Sequence, residues 1–135
     1  MKKTTVLGAI VGSGVLLAGG LAFAGLRDVD SQDTVTVNIK ARTAVGVMSA
    51  ARLSPDDSQY IGCYVLVPTA TSAAEVHCAA QDSARNTIMC MSRTAAFIQA
   101  VAALNSDSEI WFTADAKGNC TQLGIDTESD YSPKT

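Results

Sequence analysis

Residues 60–92 decide the fold, and they read YIGCYVLVPTATSAAEVHCAAQDSARNTIMCMS. Three apolar or alternating stretches, at 60–67, 74–81 and 87–92, are separated by short segments with turn-forming residues. Alternation with a period of two indicates β-strands, and short turn-rich segments between them indicate hairpins. The stretch therefore predicts a meander of three antiparallel strands. Because both faces of 60–67 are apolar, we expect this strand to be central and covered on both sides.

Three of the four cysteines fall at one level of this meander. Hairpins centred on the two turns place Cys63 opposite Cys78, and Cys78 opposite Cys90. Cys63 and Cys90 are then two strands apart, or about 10 Å, which exceeds the Cα separation of about 7 Å that a disulfide tolerates. Two connectivities remain open: Cys63–Cys78 with Cys90–Cys120, or Cys78–Cys90 with Cys63–Cys120.

The number and spacing of the cysteines favour disulfides over a metal site. Four cysteines is an even number, and in an exported chain it predicts two disulfides. A zinc site needs short paired spacings such as C-x₂-C, and no pair of cysteines here has one. We therefore expect neither a bound metal nor another cofactor.

The N-terminus predicts export. Lys2 and Lys3 precede an apolar run that ends in Ala22-Phe23-Ala24, which matches the three parts of a secretory signal peptide. Residues 1–24 are thus a predicted signal peptide, or an N-terminal membrane anchor, because the run nearly reaches the length of a bilayer span. Residues 25–33 are a predicted linker, and 34–135 a single globular domain. The expected location is the periplasm or the extracellular space.

The segments outside the meander predict the rest of an α+β domain. They supply an alternating strand over 35–41, a helix over about 94–104, and a terminal hairpin built from 109–114 and 120–126. We expect Ser92 or Thr94 to cap the helix. Residues 43–53 fit either a strand or a short helix. The predicted fold is a mainly antiparallel sheet of about five to six strands, with one helix packed on it and two disulfides.

The charge of the mature chain excludes some classes of partner. Cleavage after Ala24 removes 24 of the 135 residues and two of the ten basic ones, so 111 residues with a formal charge of −5 remain. Nucleic-acid binding needs clustered lysine and arginine, so no nucleic-acid partner is expected. No membrane association is expected after cleavage, whereas a retained N-terminal segment tethers the domain.

No catalytic set is evident in the sequence. His77 is the only histidine, and its neighbour Cys78 points to the opposite face of the strand. No G-x-S-x-G motif is present. The candidate carboxylates for a glycosidase pair lie in or beside turns, where aspartate commonly bonds the backbone; they are Asp56, Asp57, Asp107, Glu109 and Asp115. We assign no catalytic residue.

Three aromatic residues are the remaining candidates for recognition. Tyr60, Tyr64 and Trp111 are the predicted recognition surface. The leading hypothesis is an exported, disulfide-stabilised, non-enzymatic protein with a structural or binding role and a protein partner. Three alternatives stay open: a small secreted hydrolase, a secreted inhibitor or effector, and a membrane-anchored envelope protein.

Overall fold

Seven strands in two antiparallel sheets and two helices make up the fold. The computed structural model of the chain describes residues 34–128, so the predicted signal peptide (1–24) and linker (25–33) lie outside the described residues. The strands are β1 (Thr36–Asn38), β2 (Thr43–Val47), β3 (Tyr60–Leu66), β4 (Glu75–Gln81), β5 (Thr87–Ser92), β6 (Glu109–Ala114) and β7 (Cys120–Asp126); the helices are α1 (Met48–Leu53) and α2 (Ala95–Ala102). The mainly antiparallel α+β prediction is confirmed, with a second helix.

The meander forms one sheet, in the order β3-β4-β5. Its register is the predicted one: Cys63 lies opposite Cys78, and Cys78 lies opposite Cys90. The expectation that 60–67 is a central, doubly covered strand is wrong. Within residues 34–128, β3 is hydrogen-bonded to β4 alone, and the large side chains at 64–67 are all exposed. Local hydropathy alone does not distinguish an apolar edge strand from a buried central one.

The second sheet has the order β1-β2-β6-β7. The ambiguous segment 43–53 divides into strand β2 and helix α1. Gly46 lies where β2 approaches the chain ahead of β1, since a Cβ there would sit 3.1 Å from the Cα of Val35. The predicted strand over 35–41 is shorter than expected, because residues 39–42 turn into β2. Ile39 is therefore exposed, not part of the strand.

The core lies between the inner faces of the two sheets. Val76 and Cys78 from the meander, and Ile110 and Phe112 from β6, are at most 1% exposed. Alternate residues of each strand supply this core, as a period of two requires. The Cys90–Cys120 disulfide crosses from one sheet to the other, whereas Cys63–Cys78 lies within the meander. This is one of the two connectivities that the alternation of side chains along the strands (strand parity) left open.

Helix α2 packs against β3, β4 and β7, and so contacts both sheets. Phe97, Ile98 and Leu104 from the helix and its C-terminal end pack against the buried core. The predicted side-chain cap is absent. Thr94 is the N-cap residue but makes no side-chain cap hydrogen bond, and the Ser92 hydroxyl instead accepts from the Thr94 N–H.

The two sheets also meet along their backbones. Met91 in β5 forms a parallel bridge with Asn119, just before β7. This contact joins the β3-β4-β5 meander to the hairpin of β6 and β7. In residues 34–128, no helix has the length and apolar character needed to cross a membrane.

Candidate functional site

The outer face of the meander is the strongest candidate site. Alternate residues of β3, β4 and β5 point away from the core and together form what we call the outer tyrosine face, consisting of Tyr60, Gly62, Tyr64, His77, Ala79, Met89 and Met91. Tyr64 is 57% exposed and Met89 is 64% exposed. An exposed set of large apolar side chains on one sheet face is typical of an interaction surface.

Two cross-strand rows organise this face. Tyr64, His77 and Met91 form one row, in which the Tyr64 and His77 rings stack with centroids 5.2 Å apart and planes 9° from parallel. Gly62, Ala79 and Met89 form the next row. A Cβ added at Gly62 would meet no atom within 4 Å. The small residues of the second row therefore leave open space between the tyrosines of β3.

A shallow pocket of about 320 Å³ lies over these rows. Tyr64, His77, Met89 and Met91 line it, and Gly118 from the turn between β6 and β7 closes one side. Met91 donates its N–H to the Gly118 carbonyl at 2.9 Å, which fixes that turn against β5. Gly118 has a positive φ, of 84°. The pocket is open and mostly apolar, as expected of a binding surface.

The charged groups cluster at one end of the face. Glu75 accepts hydrogen bonds from the Arg93 guanidinium through both Nε and Nη2, and its second oxygen lies 3.2 Å from His77 Nε2. The Arg93 hydrogen bonds, and then that of His77, hold the pKa of Glu75 below its ordinary value. Glu75 is therefore an ionised carboxylate at neutral pH. Its hydrogen bonds hold it at one end of the outer tyrosine face.

The His77–Glu75 pair has two of the parts that a hydrolase uses. A histidine oriented by a carboxylate is a common general base. The third part, a nucleophile, is not in place, because no serine, threonine or free cysteine lines this pocket. The neighbouring Cys78 is buried on the other face and bonded to Cys63.

The third aromatic of the predicted recognition surface lies elsewhere. Tyr60 and Tyr64 share the outer face of β3. Trp111 is on β6 in the other sheet, opposite Gly124, and is 43% exposed. Its indole covers Gly124, where an added Cβ would lie 2.0 Å from Trp111 Cε2. Because the sheets pack inner face to inner face, Trp111 and the tyrosines point away from each other.

Sequence reasoning missed Met89 and Met91, although a signal for them existed. The cysteines fix which residues of β5 point inward, so Met89 and Met91, on either side of Cys90, must point outward. Outward-pointing methionines beside outward-pointing tyrosines would have marked the face.

The carboxylates of the turns bond their own loops. Asp56 accepts hydrogen bonds from the backbone and side chains of Ser58 and Gln59, which hold its pKa far below the ordinary value. Asp115 accepts from the side chain and backbone of Asn119, which also lowers its pKa. These oxygens stabilise turns.

Within residues 34–128, the one group of metal-ligand atoms that lie close together is formed by cysteines. The sulfurs of Cys78, Cys90 and Cys120 lie within 4.8 Å of one another. All of them are in disulfides, and no cysteine is free. Their sulfurs are therefore not available as thiolate ligands in this oxidised form.

Comparison with known proteins gives no further assignment. No protein-family model matches the chain, and neither a curated protein nor a solved structure matches it. The case for a function therefore depends on the geometry of the outer tyrosine face.

Proposed function

We propose that this chain is an exported, non-enzymatic binding protein whose outer tyrosine face recognises a protein partner. The observation that carries the proposal is the exposure of Tyr60, Tyr64 and Met89 on one face of a single sheet. Protein interfaces are enriched in tyrosine and methionine at their centre and depleted in charge. The two central rows of the face match that composition.

The charges favour a protein over a polyanion. The mature chain has a formal charge of −5 after the predicted cleavage, which disfavours nucleic acid and anionic lipid. The same excess of acidic residues favours a partner with a basic rim around an apolar patch.

The disulfides suit a binding surface that must hold its shape outside the cell. Cys63 and Cys78 lie on the inner side of β3 and β4, directly between the residues of the outer face. A cross-link there limits the movement of the two strands that carry Tyr64 and His77. A surface that is already ordered loses less entropy on binding. Two disulfides are also consistent with an oxidising, exported environment.

Photo-crosslinking tests the proposal. A photoreactive phenylalanine analogue replaces Met89, which is exposed on the face, and in a control replaces Ile39, which is exposed on the turn of the other sheet. In the extracytoplasmic fraction of the producing cells, we expect a discrete adduct from position 89 and not from position 39. The adduct should weaken when Tyr64→Ala is added. Identical adducts from both positions, or none from position 89, would refute the proposed surface.

A second candidate function follows from the His77–Glu75 pair, whose separation of 3.2 Å favours a small hydrolase. This alternative requires turnover of an ester, peptide or glycoside substrate by the purified protein. It also requires that His77→Gln abolishes the turnover while the fold is retained. If the purified protein turns over no ester, peptide or glycoside in a panel of such substrates, the non-enzymatic proposal stands.

A further inference from the structure

The outer edge of β3 is an open strand edge. β3 is hydrogen-bonded to β4 on one side, and the structure places no strand on its other side within residues 34–128. Tyr64, Val65, Leu66 and Val67 are 39–57% exposed. Natural proteins usually protect such edges with charges, bulges or proline. In β3 the pairing runs without a bulge, and no charged residue lies between Asp57 and Glu75.

The direction of the backbone groups follows from β5. Met91 donates its N–H to the Gly118 carbonyl, so this amide points away from β4. Backbone groups alternate in direction along an antiparallel strand. Cys90 therefore directs its N–H and C=O towards Cys78, its opposite residue on β4. The backbone groups of Cys78 are thus bonded to β5 and point away from β3.

The backbone groups of Cys63 must then point away from β4, towards the open edge. The Cα atoms of Cys63 and Cys78 are 4.1 Å apart, close to the roughly 4.5 Å of a non-hydrogen-bonded antiparallel pair. Two residues further on, Val65 has the same orientation. No backbone hydrogen bond outside the strand ladders engages Val65 in the described part of the chain. The edge therefore presents its donors and acceptors outward.

We infer that this edge pairs with the same edge of a second copy of the chain, in antiparallel orientation about a two-fold axis at Val65. Val65 then exchanges both backbone hydrogen bonds with Val65 of the second copy, and Cys63 pairs with Val67 of the second copy. Tyr64 faces Leu66 of the second copy, which is a favourable aromatic–aliphatic cross-strand pair. The strand is complementary to itself, as an interface with two-fold symmetry requires.

The uncharged edge permits a second copy as the occupant. Two copies of an acidic domain approach best where each presents an uncharged surface, and β3 lies in the uncharged stretch between Asp57 and Glu75. β3 ends at Leu66 and Pro68 follows two residues later, so the pairing is confined to the residues before this proline. The paired sheets form one six-stranded sheet in which the two outer tyrosine faces are continuous. The contact is small, so we expect a dissociation constant on the order of micromolar.

Sedimentation of the mature protein tests the dimer, and Val65→Pro is the most specific variant. The Val65 N–H faces the open edge, so proline there removes a donor from the dimer contact and none from the β3–β4 ladder. Val65→Lys places a charge at the same contact. Ile39→Lys is the matched control, since it replaces an exposed apolar side chain in the turn between β1 and β2. We expect both Val65 variants to weaken dimerisation at least about tenfold, and the control to have no effect.

Amide hydrogen exchange distinguishes the second copy from other occupants of the edge. With a dimer, protection of the Val65 amide rises with protein concentration in parallel with the sedimenting mass. A monomer at all concentrations up to about 1 mM, or a dimer that survives both Val65 variants, would overturn the inference. Concentration-independent protection of Val65 would also overturn it, because a segment of the same chain would then cover the edge. None of these outcomes depends on the proposed partner of the outer tyrosine face.

Discussion

Removing the Cys90–Cys120 disulfide should cost more stability than removing Cys63–Cys78. The first closes a separation of 30 residues and the second a separation of 15. The chain-entropy relation gives about 3.6 kcal/mol for the longer loop and about 3.0 kcal/mol for the shorter. Both effects are large compared with the net stability of about 5–15 kcal/mol that is usual for a domain.

Two features of the structure increase the expected difference in stability loss between the two disulfides. Cys63 and Cys78 face each other in a hairpin that a full β-ladder already closes, so local contacts retained in the unfolded ensemble reduce the benefit of the cross-link. Cys90 and Cys120 join the two sheets, where the strand pairing is one parallel bridge. Cys90 and Cys120 are both less than 9% exposed, whereas in the other pair Cys78 is buried and Cys63 only half-buried, so removing Cys90–Cys120 leaves the larger gap in the core. We expect a gap between the two variants of about 1 kcal/mol or more.

The assay compares Cys90→Ala/Cys120→Ala with Cys63→Ala/Cys78→Ala, each a double variant so that no free thiol remains to exchange. Urea unfolding of the mature protein, followed by the fluorescence of Trp111, gives the free energy of unfolding; Trp111 is the only tryptophan of the chain. Equal losses, or a larger loss for the variant without Cys63–Cys78, would refute the reasoning that the inter-sheet cross-link dominates.

Three further predictions concern single residues. Gly124→Ala should destabilise the fold by about 1–3 kcal/mol and shift Trp111 emission to longer wavelength, because the new Cβ displaces the indole; an unchanged spectrum would contradict this packing. Ser49→Ala should leave the free energy of unfolding unchanged or raise it by about 1 kcal/mol, since the buried Ser49 hydroxyl has no hydrogen-bond partner within residues 34–128; a clear loss would reveal a partner. The hydrogen bonds of Asp56 lower its pKa in the folded state, so its stabilisation is complete above about pH 5 and is lost as the pH falls below about 4. Asp56→Asn should therefore lower stability at pH 7 and flatten its fall in acid, and parallel pH curves for the two proteins would contradict this assignment.

The local structure of the meander was predictable because strand parity acts over short distances. The positions of Cys63, Cys78 and Cys90 in one row followed from two hairpin centres, and they restricted the disulfides to two patterns. The choice between these patterns depended on where Cys120 lies, and that position is set by the pairing of β6 with β2 and by the bridge at Asn119. Such long-range pairing leaves no periodic signal in the sequence.

The same distinction explains the errors. The apolar run 60–67 resembles a buried strand, yet β3 is an edge because β2, not β3, pairs with β6. In the candidate site, Tyr60 and Tyr64 share one face because they are an even number of residues apart on β3. Trp111 was grouped with them by residue type alone, and sheet order separates it from them.

The most direct test of the outer tyrosine face is the effect of Gly62→Val on the affinity for the partner captured from position 89. Valine at Gly62 meets no atom within 4 Å at its Cβ and suits a strand, so it fills the open space between the tyrosines while the fold is retained. Ile39→Ala is the control on the other sheet. By isothermal calorimetry with the purified proteins, we expect Gly62→Val to raise the dissociation constant at least about tenfold, with Ile39→Ala unchanged. Wild-type affinity in the Gly62→Val protein would contradict the central claim.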